Sequence, residues 1–522
     1  MTDVIDPGAI GRRKLLQVSG FAAAAAACSN LVPTRGGQKE LQDSARRSEP
    51  TASFAADVDI SLRASAKQVG ILPGNPTACW AFDGDVLHGD ANTLEMPAPS
   101  TYLGPTIRVK RGQKVRIRFT SGIPEPSIVH WHGLHVPAEM DGHPRYAISQ
   151  GQTFTYEFEI RNRPGTYWYH AHPDRVTGAQ VYRGLAGLFI VNDAEEDALA
   201  LPRGAFDVPL VVQDRLFDGD NQLLYSNRGM QLMTGMLGNR ILVNGRPDFA
   251  LRVSTRAYRV RLLNGSNSRI YKLAFRDGTP LVVIGTDGGL LERPVSRPSL
   301  LLGPAERVEL WVDFSERSVG SRADLVSLPF DYPGTPAMGM GPGAAQGAPP
   351  NGSAFNLVRF EIDRKEPEPL RLPDRLLDER PFGLPDAADA EHPRDFPLFM
   401  NRMRWTIAGR TFQMTEAAPN ERIRLGSVAA VRFRNESGGM GMMMRMAHPM
   451  HIHGGQFRVV DRRGPTVDGL LDLGWKDTVL VMPDQQVTLV MPFQDYEGLF
   501  LYHCHNLEHE DQGMMRNFLV GA

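Results

Sequence analysis

The chain has 522 residues with 57 Lys and Arg against 59 Asp and Glu, a net charge of −2. That length exceeds what one hydrophobic core supports and implies about three domains. Near-neutrality removes any general electrostatic ground for nucleic-acid binding, and three cysteines (Cys28, Cys79, Cys504) exclude a disulfide scaffold.

The N-terminus carries Arg12-Arg13-Lys14-Leu15-Leu16 and then an Ala-rich run to Ala27. A twin arginine before a short, weakly apolar run has the form of a twin-arginine export signal. The run is too short to anchor stably in a bilayer, so no integral membrane segment is expected in the mature protein. Cys28 follows alanines in a poor lipoprotein context, and lipid anchoring there is not favoured. Residues 1–50 therefore form a signal and linker, and the destination is the periplasm or another exported location.

Beyond the linker, Ile107 to Phe119 alternates apolar and basic residues around Gly112. This pattern predicts a half-buried hairpin or strand pair. Similar segments run from Leu251 to Leu263 and from Ile423 to Arg434, offset by 144 and 172 residues. Three matches at domain spacing indicate a triplicated module. The 52 glycines and 39 prolines favour turns and short strands, so the class is all-β, antiparallel β-sandwiches in series. The predicted domains are 51–193, 205–365 and 390–522. The Gly- and Pro-rich stretch from Asp331 to Ser353 reads as an exposed loop, and Asp363 to Pro393 as a connector.

Ten of the 14 histidines fall in four short motifs. His130/His132 before Gly133 parallels His451/His453 before Gly454. Likewise Gly165 to His172 parallels Gly498 to His505, giving the pairs His170/His172 and His503/His505. The middle module has none, because no histidine lies between His172 and His392. On a strand, residues i and i+2 share a face, so each pair aims two imidazoles at one point. Eight such rings exceed the demand of one ion and fit a cluster of several metals. Acid–base chemistry alone needs only one or two.

Cys504 lies between His503 and His505 and so faces the opposite side of their strand. His509 and Met514 follow, and His448 precedes Pro449. One thiolate, two imidazoles and a thioether are the donors of a blue-copper electron-transfer site. Cys504 would then touch one metal centre while its two neighbours hold another.

At these residues the chain, from about 60 to 522, resembles the multicopper oxidases, a family of laccases, bilirubin oxidases and periplasmic cuprous oxidases. The resemblance implies three cupredoxin-like Greek-key domains and four copper ions, one type 1, one type 2 and two type 3. It places type 1 copper on His448, Cys504 and His509 with Met514 axial, in the third domain. Type 2 copper falls to His130 and His451. The type 3 pair falls to His132, His170, His172, His453, His503 and His505, between domains one and three. Asp141 and Glu510 match the carboxylates that pass protons to oxygen, and with Cys504 they are the candidate catalytic groups. The axial Met514 stands where high-potential fungal laccases have an aliphatic residue, which should lower the type 1 potential and favour easily oxidised donors.

The resemblance implies oxidation of a small reducing substrate with O₂ as acceptor, by a protein expected to be monomeric. Phenols, aromatic amines, bilirubin-type donors and Cu(I) all remain open as substrates. Met440, Met442, Met443, Met444 and Met446 lie just before His448. Thioethers among glycines suit Cu(I) as well as adaptable packing, which leaves a part in copper tolerance open. Met444 stands where the cuprous oxidases have an Asp, and no Met-rich helix appears between Pro367 and Met414. A copper-sequestering periplasmic protein without turnover is the alternative. A structural relative would be expected to have lost ligands, and a copper nitrite reductase lacks the triplication.

Overall fold

A computed structural model describes residues 49–97, 101–226, 228–331, 347–378, 382–436 and 445–521. The arginine pair, Cys28, and Met440, Met442, Met443 and Met444 lie outside the described residues. Six sheets pack in pairs around three separate apolar cores. In the first pair, a four-stranded sheet holds Val58–Val69 and Lys114–Ser121. Its five-stranded partner holds Thr106–Lys110, Ala186–Asn192, Gly165–Ala171 and Val129–His132. Ile60, Ile117, Trp131 and Phe189 fill the space between them.

The same two parallel ladders recur in every pair, which is the structural form of the triplication. Val58–Val69 runs parallel to Lys114–Ser121, as Asp207–Arg215 does to Ala257–Asn264 and Arg394–Asn401 to Ser427–Asn435. In the facing sheets, Thr106–Lys110 runs parallel to Ala186–Asn192, Ala250–Ser254 to Phe355–Arg364, and Arg422–Arg424 to Met515–Gly521. The molecule is thus three consecutive cupredoxin-like Greek-key sandwiches.

The repeated alternating segments correct one expectation. Thr106–Lys110 and Lys114–Ser121 belong to opposite sheets, and so do their counterparts near residues 251–263 and 423–434. Each segment is a corner that steps from sheet to sheet, not a hairpin. Alternation cannot distinguish the two, because both strands point every second side chain into the core whether or not they pair. Gly112 (φ +88°) and Gly426 (φ +76°) supply the left-handed turn at two of the corners.

The described helices are short, and none is long and apolar enough to cross a membrane. Two of them matter for the metal centre. Gly229–Thr234 comes from the middle module, and Leu507–Asp511 follows the strand Gly498–Cys504.

Candidate metal centre

Antiparallel pairing brings the histidine motifs together within each outer module. Val129–His132 pairs with Gly165–Ala171 so that His130 faces His170 across the ladder. In the third module His448–Ile452 pairs with Gly498–Cys504, setting His451 opposite His503 and Met450 opposite Cys504. The two sets then interdigitate. His130 stacks on His453 and His132 on His451, each with ring centroids 3.7 Å apart. Nε2 atoms approach one another at 3.3 Å (His130–His451), 3.4 Å (His172–His503) and 3.1 Å (His453–His503). All eight rings are buried.

Burial holds His132, His170, His451, His453 and His505 neutral, with pKa values well below the ordinary histidine range, and the neighbouring imidazoles add to the effect. A neutral imidazole is the form that donates a lone pair to a metal. Several outer nitrogens are spoken for by the protein: His130 Nδ1 lies 2.6 Å from the Asp141 carbonyl and His451 Nδ1 2.8 Å from the Asp477 carbonyl. Others are buried with no hydrogen-bond partner, notably His132 Nδ1, His170 Nε2 and both nitrogens of His505. Ligand nitrogens of His130, His132 and His170 lie within 4.8 Å of one another, and unsatisfied buried nitrogens so close together are costly unless a cation fills the space between them. The donor set therefore fits copper.

The second site lies inside the third module. His448 Nδ1 and His509 Nδ1 lie 3.4 and 3.6 Å from Cys504 Sγ, and Met514 is buried in the same core as Cys504. The Asn506 side chain caps the helix Leu507–Asp511, fixing the turn that returns His509 to the thiol. The Asn506 amide donates to Cys504 Sγ at 3.4 Å. Burial raises the Cys504 thiol well above its ordinary pKa despite that amide, so a bound cation must displace the thiol proton.

Asp141 and Glu510 both reach the histidine cluster, in different ways. Asp141 Oδ2 lies 2.7 Å from His453 Nδ1, so Asp141 holds His130 through its carbonyl and His453 through its carboxylate. Burial raises its pKa. Glu510 is also desolvated, but His503 and His172 outweigh that and draw its carboxyl down to about 2. Its Oε2 is 3.1 Å from His503 Nδ1 and its Oε1 3.6 Å from His172 Nε2.

Family models described as multicopper oxidase match residues 95–196 and 388–522. A laccase of Bacillus stratosphericus is 30% identical, spanning 84% of this chain and 90% of the relative. The chain belongs to the multicopper oxidases. A bilirubin oxidase of Albifimbria verrucaria is 30% identical over 80% of this chain and 71% of its own length. Among solved structures, the McoA multicopper oxidase of Aquifex aeolicus aligns with a TM-score of 0.76 and 33% identity, covering 90% of this chain and 97% of that one. This multicopper oxidase is an enzyme with copper cofactors, coupling the oxidation of a reducing substrate to O₂.

Sequence reasoning missed what surrounds the ligands. The middle module, which has no ligand motif, closes over the Cys504 site: the Met233 carbonyl accepts from His509 Nε2 at 2.9 Å and from Trp405 Nε1 at 2.7 Å. The Trp405 ring packs 4.6 Å from His448 and 5.1 Å from His509. Met446 is buried in the third core. No motif marks Met233 or Trp405, because a backbone acceptor and a packing ring leave no spacing signature.

Proposed function

We propose that the mature chain is an exported, laccase-like oxidase holding four coppers. His448, Cys504, His509 and Met514 hold type 1 copper, and His130 and His451 hold type 2. His132, His170, His172, His453, His503 and His505 hold the type 3 pair. The domains are 51–193, 205–365 and 390–522, with the cluster between the first and third, and the protein acts as a monomer. The observation that carries this reading is the register at Cys504: its sulfur lies beside His448 and His509 while His503 and His505 point into the eight-ring cluster.

Copper held by these residues would supply the redox chemistry, one-electron oxidation of the substrate and four-electron reduction of O₂ to two waters. The protein does the rest. Cys504 links the two sites through one peptide unit on either side. Asp141 and Glu510 hold or move protons beside the rings of His453 and His503, where oxygen reduction consumes four protons. Burial of every proposed ligand residue keeps water from both sites.

The donor is a phenol, an aromatic amine, a bilirubin-type molecule or Cu(I). The likeness to a laccase and a bilirubin oxidase supports the organic donors, and the methionines before His448 support Cu(I) and a part in copper tolerance. The arginine pair at Arg12 and Arg13 supports export of the folded protein by the twin-arginine route. The test is copper content and visible spectrum of the purified protein, with oxygen uptake compared for a phenol, bilirubin and Cu(I). A blue protein with four coppers and donor-dependent uptake is expected. A colourless, fully loaded protein consuming no oxygen defeats the proposal, and Cu(I) binding without uptake favours a sequestering protein.

A further inference from the structure

We infer that Arg307, from the middle module, is a positioning residue for the histidine cluster, acting through Asp477 on the ring nitrogens of His132 and His451. The inference rests on the ligand assignment proposed above.

Arg307 opens the strand Arg307–Asp313 and is fully buried. A guanidinium has five N–H donors, and all five are used here. Nη1 donates to Asp477 Oδ1 at 2.7 Å and to the Ala305 carbonyl at 3.0 Å. Nη2 donates to Asp477 Oδ2 at 2.5 Å and to the Asp287 carbonyl at 2.9 Å. Nε donates to the Thr166 carbonyl of the first module at 3.0 Å. One side chain thus ties all three modules at a single point, with a two-pronged grip on one carboxylate.

That carboxylate faces the cluster. Asp477 Oδ1 lies 3.0 Å from His132 Nε2, and the Asp477 carbonyl lies 2.8 Å from His451 Nδ1. Both oxygens only accept, so His132 carries its proton on Nε2 and His451 carries its proton on Nδ1. The two stacked rings are thereby set in opposite tautomers. His132 offers its partnerless Nδ1, and His451 offers the Nε2 that approaches His130. Thr478 Oγ1, 3.2 Å from His132 Nε2 and 3.0 Å from Asp477 Oδ1, completes the network.

Gly133 makes room for this clamp. A Cβ there would lie 2.3 Å from Asp477 Oδ2 and 2.9 Å from Arg307 Nη2, at a φ of +84°. The residue after His132 is therefore held to glycine by the clamp as well as by its turn. Lysine cannot replace Arg307, since a single ammonium cannot grip both carboxylate oxygens in one plane.

The test uses full-length Arg307→Lys and Asp477→Asn proteins loaded with copper beside the wild type. The readings are copper per chain, the type 2 electron paramagnetic resonance signal, and copper retention against a chelator. Both variants should keep the blue absorption of the mononuclear site and lose cluster copper roughly 10- to 100-fold more readily, as for other residues that orient metal ligands. An unchanged type 2 signal with wild-type retention in both variants overturns the inference. If Arg307→Lys fails to give a blue, folded protein, the near-isosteric Asp477→Asn decides by the same readings. A wild type that binds fewer than four coppers would defeat the ligand assignment instead.

Discussion

The two proposed copper sites are built on different principles. All four donors of the mononuclear site come from within His448–Met514 and sit inside one core. The cluster instead draws four rings from each of two modules, with His130 and His451 separated by 321 positions. Its outer partners come from the first module through Asp141, from the third through Glu510 and Asp477 and, one step further, from the middle module through Arg307. The first site takes its donors from one sandwich and borrows only a capping carbonyl, that of Met233, from the middle module. A site between sandwiches also needs the modules docked so that their side chains hold within about 0.5 Å of the working geometry.

The sharpest way to break this contrast is Cys504→Ser, at the residue between His503 and His505. It should abolish the blue absorption and reduce oxygen uptake to background, while a cooperative melt persists because the hydroxyl replaces a single buried atom. Visible spectroscopy with an oxygen electrode reads the first two, and calorimetry the third. Persistent turnover would separate Cys504 from the electron path. Glu510→Gln keeps the shape beside His503 and removes the ionisable carboxylate. It should lower oxygen uptake by about 10²-fold or more with the blue absorption intact. A rate close to wild type would make Glu510 a packing residue.

The smallest expected effect concerns the contact between outer modules without any metal. His143 Nε2 donates to Asn517 Oδ1 at 2.9 Å, and His143 Nδ1 accepts from the Arg145 amide at 3.2 Å. Both nitrogens are satisfied only while the ring is neutral. Burial, offset in part by Asn517, holds its pKa at about 3 against an ordinary 6.5. The unfolded chain therefore binds a proton below about pH 6.5 that the folded chain refuses. This contribution is fully present above pH 6.5 and is lost as pH falls toward 3, by at most about 1.4 kcal/mol per pH unit. The melting temperature of metal-free protein should fall less steeply with acid in His143→Gln than in wild type. Equal slopes would place the acid sensitivity elsewhere.

Much of this architecture is legible in the amino-acid order. Paired histidines two residues apart, each pair flanked by matching context, already disclose eight convergent rings, because strand geometry allows only two faces. Cys504 between His503 and His505 discloses the link between centres for the same reason. The three alternating segments disclose a triplicated sandwich, although they hide whether successive strands pair or change sheets.

What lies one layer outside the ligands is invisible in that order. Nothing near Arg307 resembles a metal motif, yet its five donors meet the first module at Thr166 and the third at Asp477. Met233 contributes only a carbonyl, a group every residue has. Spacing along a strand is a local property and settles which side chains share a face. The tautomer of His132, the carbonyl that caps His509 and the closing of a site between modules depend on groups more than a hundred residues apart, and only packing brings those together.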